Sequence, residues 1–349
     1  VEGDRARVGR DGRLNVATAR NEPLRILLSA QAAPRLQQRI AAALAGRPHR
    51  LVSADQVAPG VEFELAFMTR DVTGASTKYE VLPPTQHFHD LMRQALALRW
   101  AHTHSAGADR PVFVELLQRG VAVTTSSGAN AAVVAQTAVA GVLALARGFP
   151  QLMAAQRERR WAPLAGAAMP RDLGGQTAVI VGWGPVGQKI AAMLAAAGLH
   201  CVAVRRDAVQ AAEGGFETVG YDDLPTVLPR ADWLVLACPL TARTHGLVDA
   251  AALALLPAGA RLVNVARGEV VVQADLIAAL RSGALAGAFL DVFEHEPLPP
   301  QSPLWALENV IVTPHAAGHS DGNQERVDAL FLANLRRWAQ GQPLANPAA

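Results

Sequence analysis

Three polar residues in the last third of the chain each follow a short apolar run: Arg267 after LVNVA (262–266), Glu296 within DVFEHEP (291–297) and His315 after IVTP (311–314). Runs of that length and composition read as buried strands, so all three would stand at strand ends. An imidazole titrates near neutral pH and can give or take a proton, and a carboxylate can orient it. A guanidinium is always charged and can steady a developing anion. Taken singly, Arg267 reads as a surface arginine and His315 as a satisfied histidine; together at strand ends they read as acid-base machinery. Two histidine pairs, His87/His89 and His102/His104, could share a strand face. No carboxylate or cysteine joins them at ligand spacing, so no metal is expected.

A dinucleotide loop supplies the context. The run 177–181 (TAVIV) leads into Gly182, Gly184 and Gly187, a helical pattern over 186–197 follows, and a second apolar run at 201–204 closes the unit. This is G-x-G-x-x-G at the first turn of a βαβ unit of about 30 residues. Gly182 would make the tight turn, Gly184 would admit the pyrophosphate, and Gly187 would let helix and strand pack closely. The helix's free N–H groups would face the phosphates. About 20 residues past the glycines, NAD-specific enzymes carry an acid for the ribose hydroxyl. Here that place reads Arg205-Arg206, which suits a 2′-phosphate. NADPH is therefore expected over NADH, with NADH possible; Asp207 opposes the reading.

These residues need a frame that brings strand ends together. From Leu24 the chain alternates strands (25–30, 49–54, 64–69, 98–104, 121–125) with helices (34–45, 88–94, 112–119). After a linker at 150–175, the glycine loop opens a second set, with strands at 232–238, 261–265, 287–292 and 310–313 and helices at 250–256 and 273–281. Counting the two strands of the opening unit, that set has six. Such alternation predicts an α/β fold of two doubly wound parallel-sheet domains, with ligands at the strands' carboxyl ends. The pattern 130–147 is apolar on every side, so it should be buried on every side, between domains or between subunits. A last helix spans 324–338, and no solenoid repeat occurs.

With 349 residues, two domains are expected. The net charge of +2 gives no case for nucleic acid or an anionic membrane, and no apolar run is long enough to span a bilayer. Cys201 and Cys238 lie in strand-like runs and read as buried, reduced thiols, which suits the cytoplasm. The Arg-rich start carries Glu2, Asp4, Asp11 and Glu22 and lacks an apolar segment, so residues 1–23 read as a disordered extension, with a partner-binding arm as the alternative.

As a set, GWGPVG (182–187), CPLTARTHGLVD (238–249), NVARGEVV (264–271), DVFEHEPLP (291–299) and TPHAAG (313–318) resemble the NAD(P)-dependent D-2-hydroxyacid dehydrogenases over roughly residues 24–344. The resemblance implies a Rossmann-type cofactor domain over 126–313. It also implies a flavodoxin-like split substrate domain from 24–125 and 314–349, with a cleft between the two. It implies Arg267, Glu296 and His315 as catalytic residues; Glu294 competes with Glu296, and the spacing to Pro297 favours Glu296. It further implies cofactor contacts from Gly182, Gly184, Pro185, Val186, Gly187, Cys238, Pro239, Thr244, Val265, Ala266, Arg267, Asp291, His315 and Gly318, besides Arg205 and Arg206. Substrate contacts would come from Arg70, the backbone of Ala106 and Gly107 in the turn 105–107, Arg267 and His315. The expected reaction is reduction of glyoxylate or hydroxypyruvate, in a homodimer joined through the apolar helix. Gln136 stands where the family would have Glu, which touches helix packing. Two alternatives stay open: a dinucleotide-sensing protein without catalysis, which could dispense with the acid, and a formate dehydrogenase, where Gln is expected in place of Glu296.

Overall fold

The computed structural model describes residues 22–57, 60–77, 79–166, 169–206 and 214–348. The expectations for residues 1–21 and Asp207 fall outside these. Two compact units divide at Ala129 and Asp321, the second being Asn130–Ser320 and the first the rest.

In the first unit, β1 (Leu24–Leu28), α1 (Ala32–Ala43), β2 (His49–Ser53), β3 (Leu65–Met68), α2 (Arg70–Thr73), α3 (Pro83–Gln94), β4 (Trp100–Thr103), α4 (Pro111–Gln118) and β5 (Ala122–Thr125) form one parallel sheet in the order β2-β1-β3-β4-β5. That is the flavodoxin-like order 2-1-3-4-5. Both faces are apolar because alternate strand residues point to opposite sides. Leu27, Ala66 and Met68 meet Phe88 and Phe113 on one side; Ile26, Leu28 and Phe67 meet Leu36 and Phe331 on the other. His87 and His89 lie on α3 rather than on a strand, so they do not share a face.

The second unit contains α5 (Ala131–Ala146), α6 (Phe149–Arg157), β6 (Thr177–Val181), α7 (Pro185–Ala196), β7 (His200–Arg205), β8 (Glu217–Gly220), α8 (Leu224–Val227), β9 (Trp233–Leu236), α9 (Ala250–Ala254), β10 (Arg261–Asn264), α10 (Gln273–Ser282), β11 (Gly287–Leu290) and β12 (Val310–Val312). The chain then returns to the first unit as α11 (Asn323–Ala339). The sheet is parallel, in the order β12-β11-β10-β9-β6-β7-β8. Counted from β6 this is 3-2-1-4-5-6 with a seventh strand added. The expected six strands are thus seven. The strand absent from the sequence reading is β8, whose ETVG lies at a sheet edge, half exposed, with no apolar run to announce it.

One further expectation is corrected: residues 150–157 of the expected linker belong to the helix α6, set off from α5 by Gly148 in the left-handed region at φ +66°. Within the chain, helix α5 is buried along one side. Ala135, Ala138, Val142 and Leu145 are inside, while Ala132, Gln136, Ala140 and Leu143 form an exposed stripe at helical spacing. Among the described residues no single helix is long and apolar enough to cross a membrane.

Candidate active site

Three neighbouring strands, β10, β11 and β12, deliver the polar set. Beyond β10, the buried Asn264 fixes the turn: Ala266 N donates to its Oδ1 (3.0 Å) and its Nδ2 donates to Arg267 O (3.1 Å). Gly268 then lies on the backbone of the loop after β11, where a Cβ would stand 1.9 Å from Phe293 C. That close approach sets Arg267 beside the loop carrying Glu296.

Asp291, buried just past β11, accepts from Thr313 Oγ1 (2.6 Å), Ala316 N (2.8 Å) and Ala317 N (3.0 Å), while His315 N donates to its carbonyl (2.8 Å). These bonds hold the turn after β12, in which His315 takes the left-handed backbone at φ +51°, uncommon for a residue with a side chain. Glu296 accepts from Phe293 N at Oε1 (3.0 Å) and from His315 Nδ1 at Oε2 (2.7 Å). Burial pushes the Glu296 carboxyl up. The hydrogen bond and charge of His315, the Phe293 N–H and the charge of Arg267 overcome this and hold it below the ordinary value of 4.5. An ionised Glu296 only accepts, so Nδ1 carries the proton. With the His315 side chain 49% exposed, Nε2 remains for a ligand. Glu294 is used elsewhere: its Oε1 accepts from Gln273 N (2.9 Å), the first residue of α10.

At the other strand ends, Gly182 (φ +105°) leaves no room for a side chain, since a Cβ would stand 2.6 Å from Cys238 N. Gly187 packs on Gly182 O, where a Cβ would stand at 1.9 Å. A Cβ on Gly184 would meet nothing within 4 Å. Gly184 caps α7, with Pro185 in the first turn, so the N–H groups of Val186 and Gly187 have no acceptor within the helix. This open backbone cradle, which a side chain at 184 would fill, fits a pyrophosphate. Arg205 ends β7, and Arg206 follows it, exposed. Thr244 Oγ1 donates to Pro239 O (2.7 Å) and accepts from Thr241 N (2.8 Å), pinning the loop after β9. Cys201 and Cys238 are free and buried, and burial pushes both thiols up to about 11.

In the first unit, Arg70 opens α2, and the turn 105–107 follows β4. Thr73 Oγ1 and His104 Nε2, 2.9 Å apart, join the two segments. Ser126 N donates to Ser105 O (2.8 Å).

Residues 139–317 match the NAD-binding domain of the D-isomer specific 2-hydroxyacid dehydrogenases. A glyoxylate reductase from Korarchaeum cryptofilum is 33% identical over 258 residues, covering 72% of this chain and 76% of its own length. The chain belongs to the D-2-hydroxyacid dehydrogenase family. An (S)-sulfolactate dehydrogenase from Chromohalobacter salexigens is 35% identical over 62% of this chain and 70% of its own. A D-isomer specific 2-hydroxyacid dehydrogenase from Xanthobacter autotrophicus Py2, crystallised with NADPH and MES, superposes with a TM-score of 0.75 at 32% identity, over 94% of this chain and 98% of its own.

The enzyme is thus an NAD(P)-dependent D-2-hydroxyacid dehydrogenase. Two residues of its site architecture escaped the sequence reading. Asn264 was legible only as part of a motif, although a polar residue inside an apolar run is itself a signal of a bonded turn. Asp291 reads in the sequence as a cofactor contact, and what that reading lacks is the second task of its carboxylate, which organises the His315 turn through bonds to residues 22 to 26 positions away.

Proposed function

We propose that the enzyme reduces a small 2-oxo acid, glyoxylate or hydroxypyruvate, to the 2-hydroxy acid, with NADPH preferred over NADH. The observation that carries the reading is the His315–Glu296 pair at 2.7 Å, flanked by the charge of Arg267. A reduced nicotinamide dinucleotide, its pyrophosphate held at the Gly182–Gly187 cradle, would supply the hydride. Hydride arrival at C2 leaves negative charge on the carbonyl oxygen. His315 gives that oxygen a proton from Nε2, while Glu296 keeps the ring oriented through Nδ1. Arg267 steadies the substrate carboxylate and the developing alkoxide, and the backbone N–H groups of Ala106 and Gly107 take the rest of the carboxylate. Arg70 stands as a further substrate residue.

The glyoxylate reductase relative supports the substrate class, and the sulfolactate dehydrogenase marks how widely relatives differ in substrate. Assaying a panel of 2-oxo acids with both reduced cofactors tests this; no turnover of glyoxylate or hydroxypyruvate would overturn it. Arg205 and Arg206, and the NADPH bound by the Xanthobacter enzyme, support the cofactor preference. Arg205→Asp should lower the NADPH-to-NADH ratio of kcat/KM, and an unchanged ratio would refute the assignment.

The same reading gives the unit built on 130–320 to the cofactor and the other to the substrate. The exposed stripe of α5, Ala132, Gln136, Ala140 and Leu143, suits a homodimer contact. A monomer in sedimentation at micromolar concentration would count against it. Two buried, protonated cysteines fit a reducing cytoplasm, which localisation of the tagged full-length protein would test.

A further inference from the structure

One edge of the second unit carries an arginine that the site above does not use. β7 and β8 pair in parallel with Arg205 opposite Gly220, so the next residues, Arg206 and Tyr221, leave the sheet side by side at its carboxyl end. The guanidinium of Arg243, from the loop after β9, lies over the Tyr221 ring, 5.5 Å from its centroid. That loop is the one pinned by Thr244 to Pro239 O, so Arg243 is offered from a fixed backbone. Burial first, then the Cys238 thiol, push the Tyr221 phenol up to about 12, while the charges of Arg243 and Arg206 pull against them. Both guanidiniums therefore lie within Coulomb reach of one ring. Among the described residues the counter-charges are Asp222, whose Oδ1 is 2.5 Å from Arg243 Nη2 and whose side chain is 90% exposed, and the exposed Asp223.

We propose that Arg243, braced on Tyr221, is a third cation of the adenosine 2′-phosphate site, beside Arg205 and Arg206. The inference rests on the NADPH reading and deepens it. Recognition of the adenosine ribose belongs at the end of the second strand of a dinucleotide fold, here Arg205, and its partner across the sheet, Gly220, is followed directly by Tyr221. An exposed ion pair such as Arg243–Asp222 is weak. A phosphate offers two charges and bidentate geometry, so it takes the guanidinium from Asp222. The neutral phenol beneath adds no repulsion.

The test is the ratio of Kd for NADH to Kd for NADPH, measured by titration calorimetry on the full chain. Arg243→Ala should lower the ratio about 10-fold and Arg243→Glu about 100-fold, as expected for loss and then reversal of a charge-assisted phosphate contact. Asp222→Asn, which removes the competing carboxylate, should raise it. Arg243→Lys, which keeps the charge and loses the fork, should fall between wild type and Arg243→Ala. If Arg243→Ala and Arg243→Glu leave the ratio within about twofold of wild type while Arg205→Asp collapses it, Arg243 is only a surface ion pair and the NADPH reading stands. A wild-type enzyme without preference for NADPH would overturn that reading and this inference together.

Discussion

At the scale of single residues, the proposed mechanism asks His315 to aim a proton at the substrate, and the structure supplies partners for that aim. Orientation comes from Glu296 at Nδ1 and from a turn that Asp291 ties down with three donors. His315→Ala should cost at least ~100-fold in kcat, the lower end of a general-acid contribution, with cofactor affinity little changed; near-normal turnover would overturn its role. Glu296→Gln takes the carboxylate acceptor from His315 Nδ1 and can set an amide N–H against it, so kcat should fall with cofactor affinity little changed. An unchanged kcat would mean that Glu296 does not orient the ring.

Elements decide which of these residues meet, and the glycines of the cofactor loop separate packing from binding. An alanine at Gly187 puts its Cβ 1.9 Å from Gly182 O, so α7 must lift from β6 and the protein should lose stability. Gly184 has φ −82° and open space around it. Gly184→Ala should therefore keep the wild-type Tm yet weaken dinucleotide binding at least ~10-fold by filling the pyrophosphate cradle. Melting curves beside cofactor titrations check the pair, and a Gly184→Ala protein that binds normally would refute the cradle. Strands with a buried apolar run, such as TAVIV of β6 and WLVL of β9, were plain in the sequence. Edge strand β8 was not, because ETVG is half exposed and depends on β7 for its pairing. Arg267, Glu296 and His315 were legible as residue types at strand ends. What Asp291 and Gly268 do was not, since their partners are backbone atoms brought close only by the sheet order.

At the scale of the whole molecule, the two units should respond to acid in different pH windows. In the first unit His102 is fully buried between hydroxyls, Nδ1 2.7 Å from Thr124 Oγ1 and Nε2 3.1 Å from Ser126 Oγ. Trp100 Nε1 donates to Thr124 Oγ1 (2.8 Å) and Ser126 Oγ donates to Thr103 O (2.9 Å). The hydroxyl protons therefore run in one direction: Thr124 donates to Nδ1, and Nε2–H donates to Ser126. Only a neutral ring completes that chain. Burial, with a smaller contribution from His104, pushes His102 down to about 3; burial, with Arg110 and Arg93, pushes His89 down to about 4. A histidine lowered on folding binds fewer protons in the native than in the unfolded state below its ordinary 6.5. Its stabilisation is therefore full above that value and declines as pH falls toward the folded one. At pH 5 each of the two should cost about 2 kcal/mol relative to neutral pH, a large share of a typical domain's stability. In the second unit, the lowered Glu296 contributes stability that is present above 4.5 and lost only as pH falls below it. Hydrogen exchange at pH 7 and pH 5, corrected for the intrinsic rate, should show protection falling in β3 and β4 while β9 and β10 hold theirs. Equal protection in β3 and β4 at both pH values would mean that the buried histidines do not stay neutral.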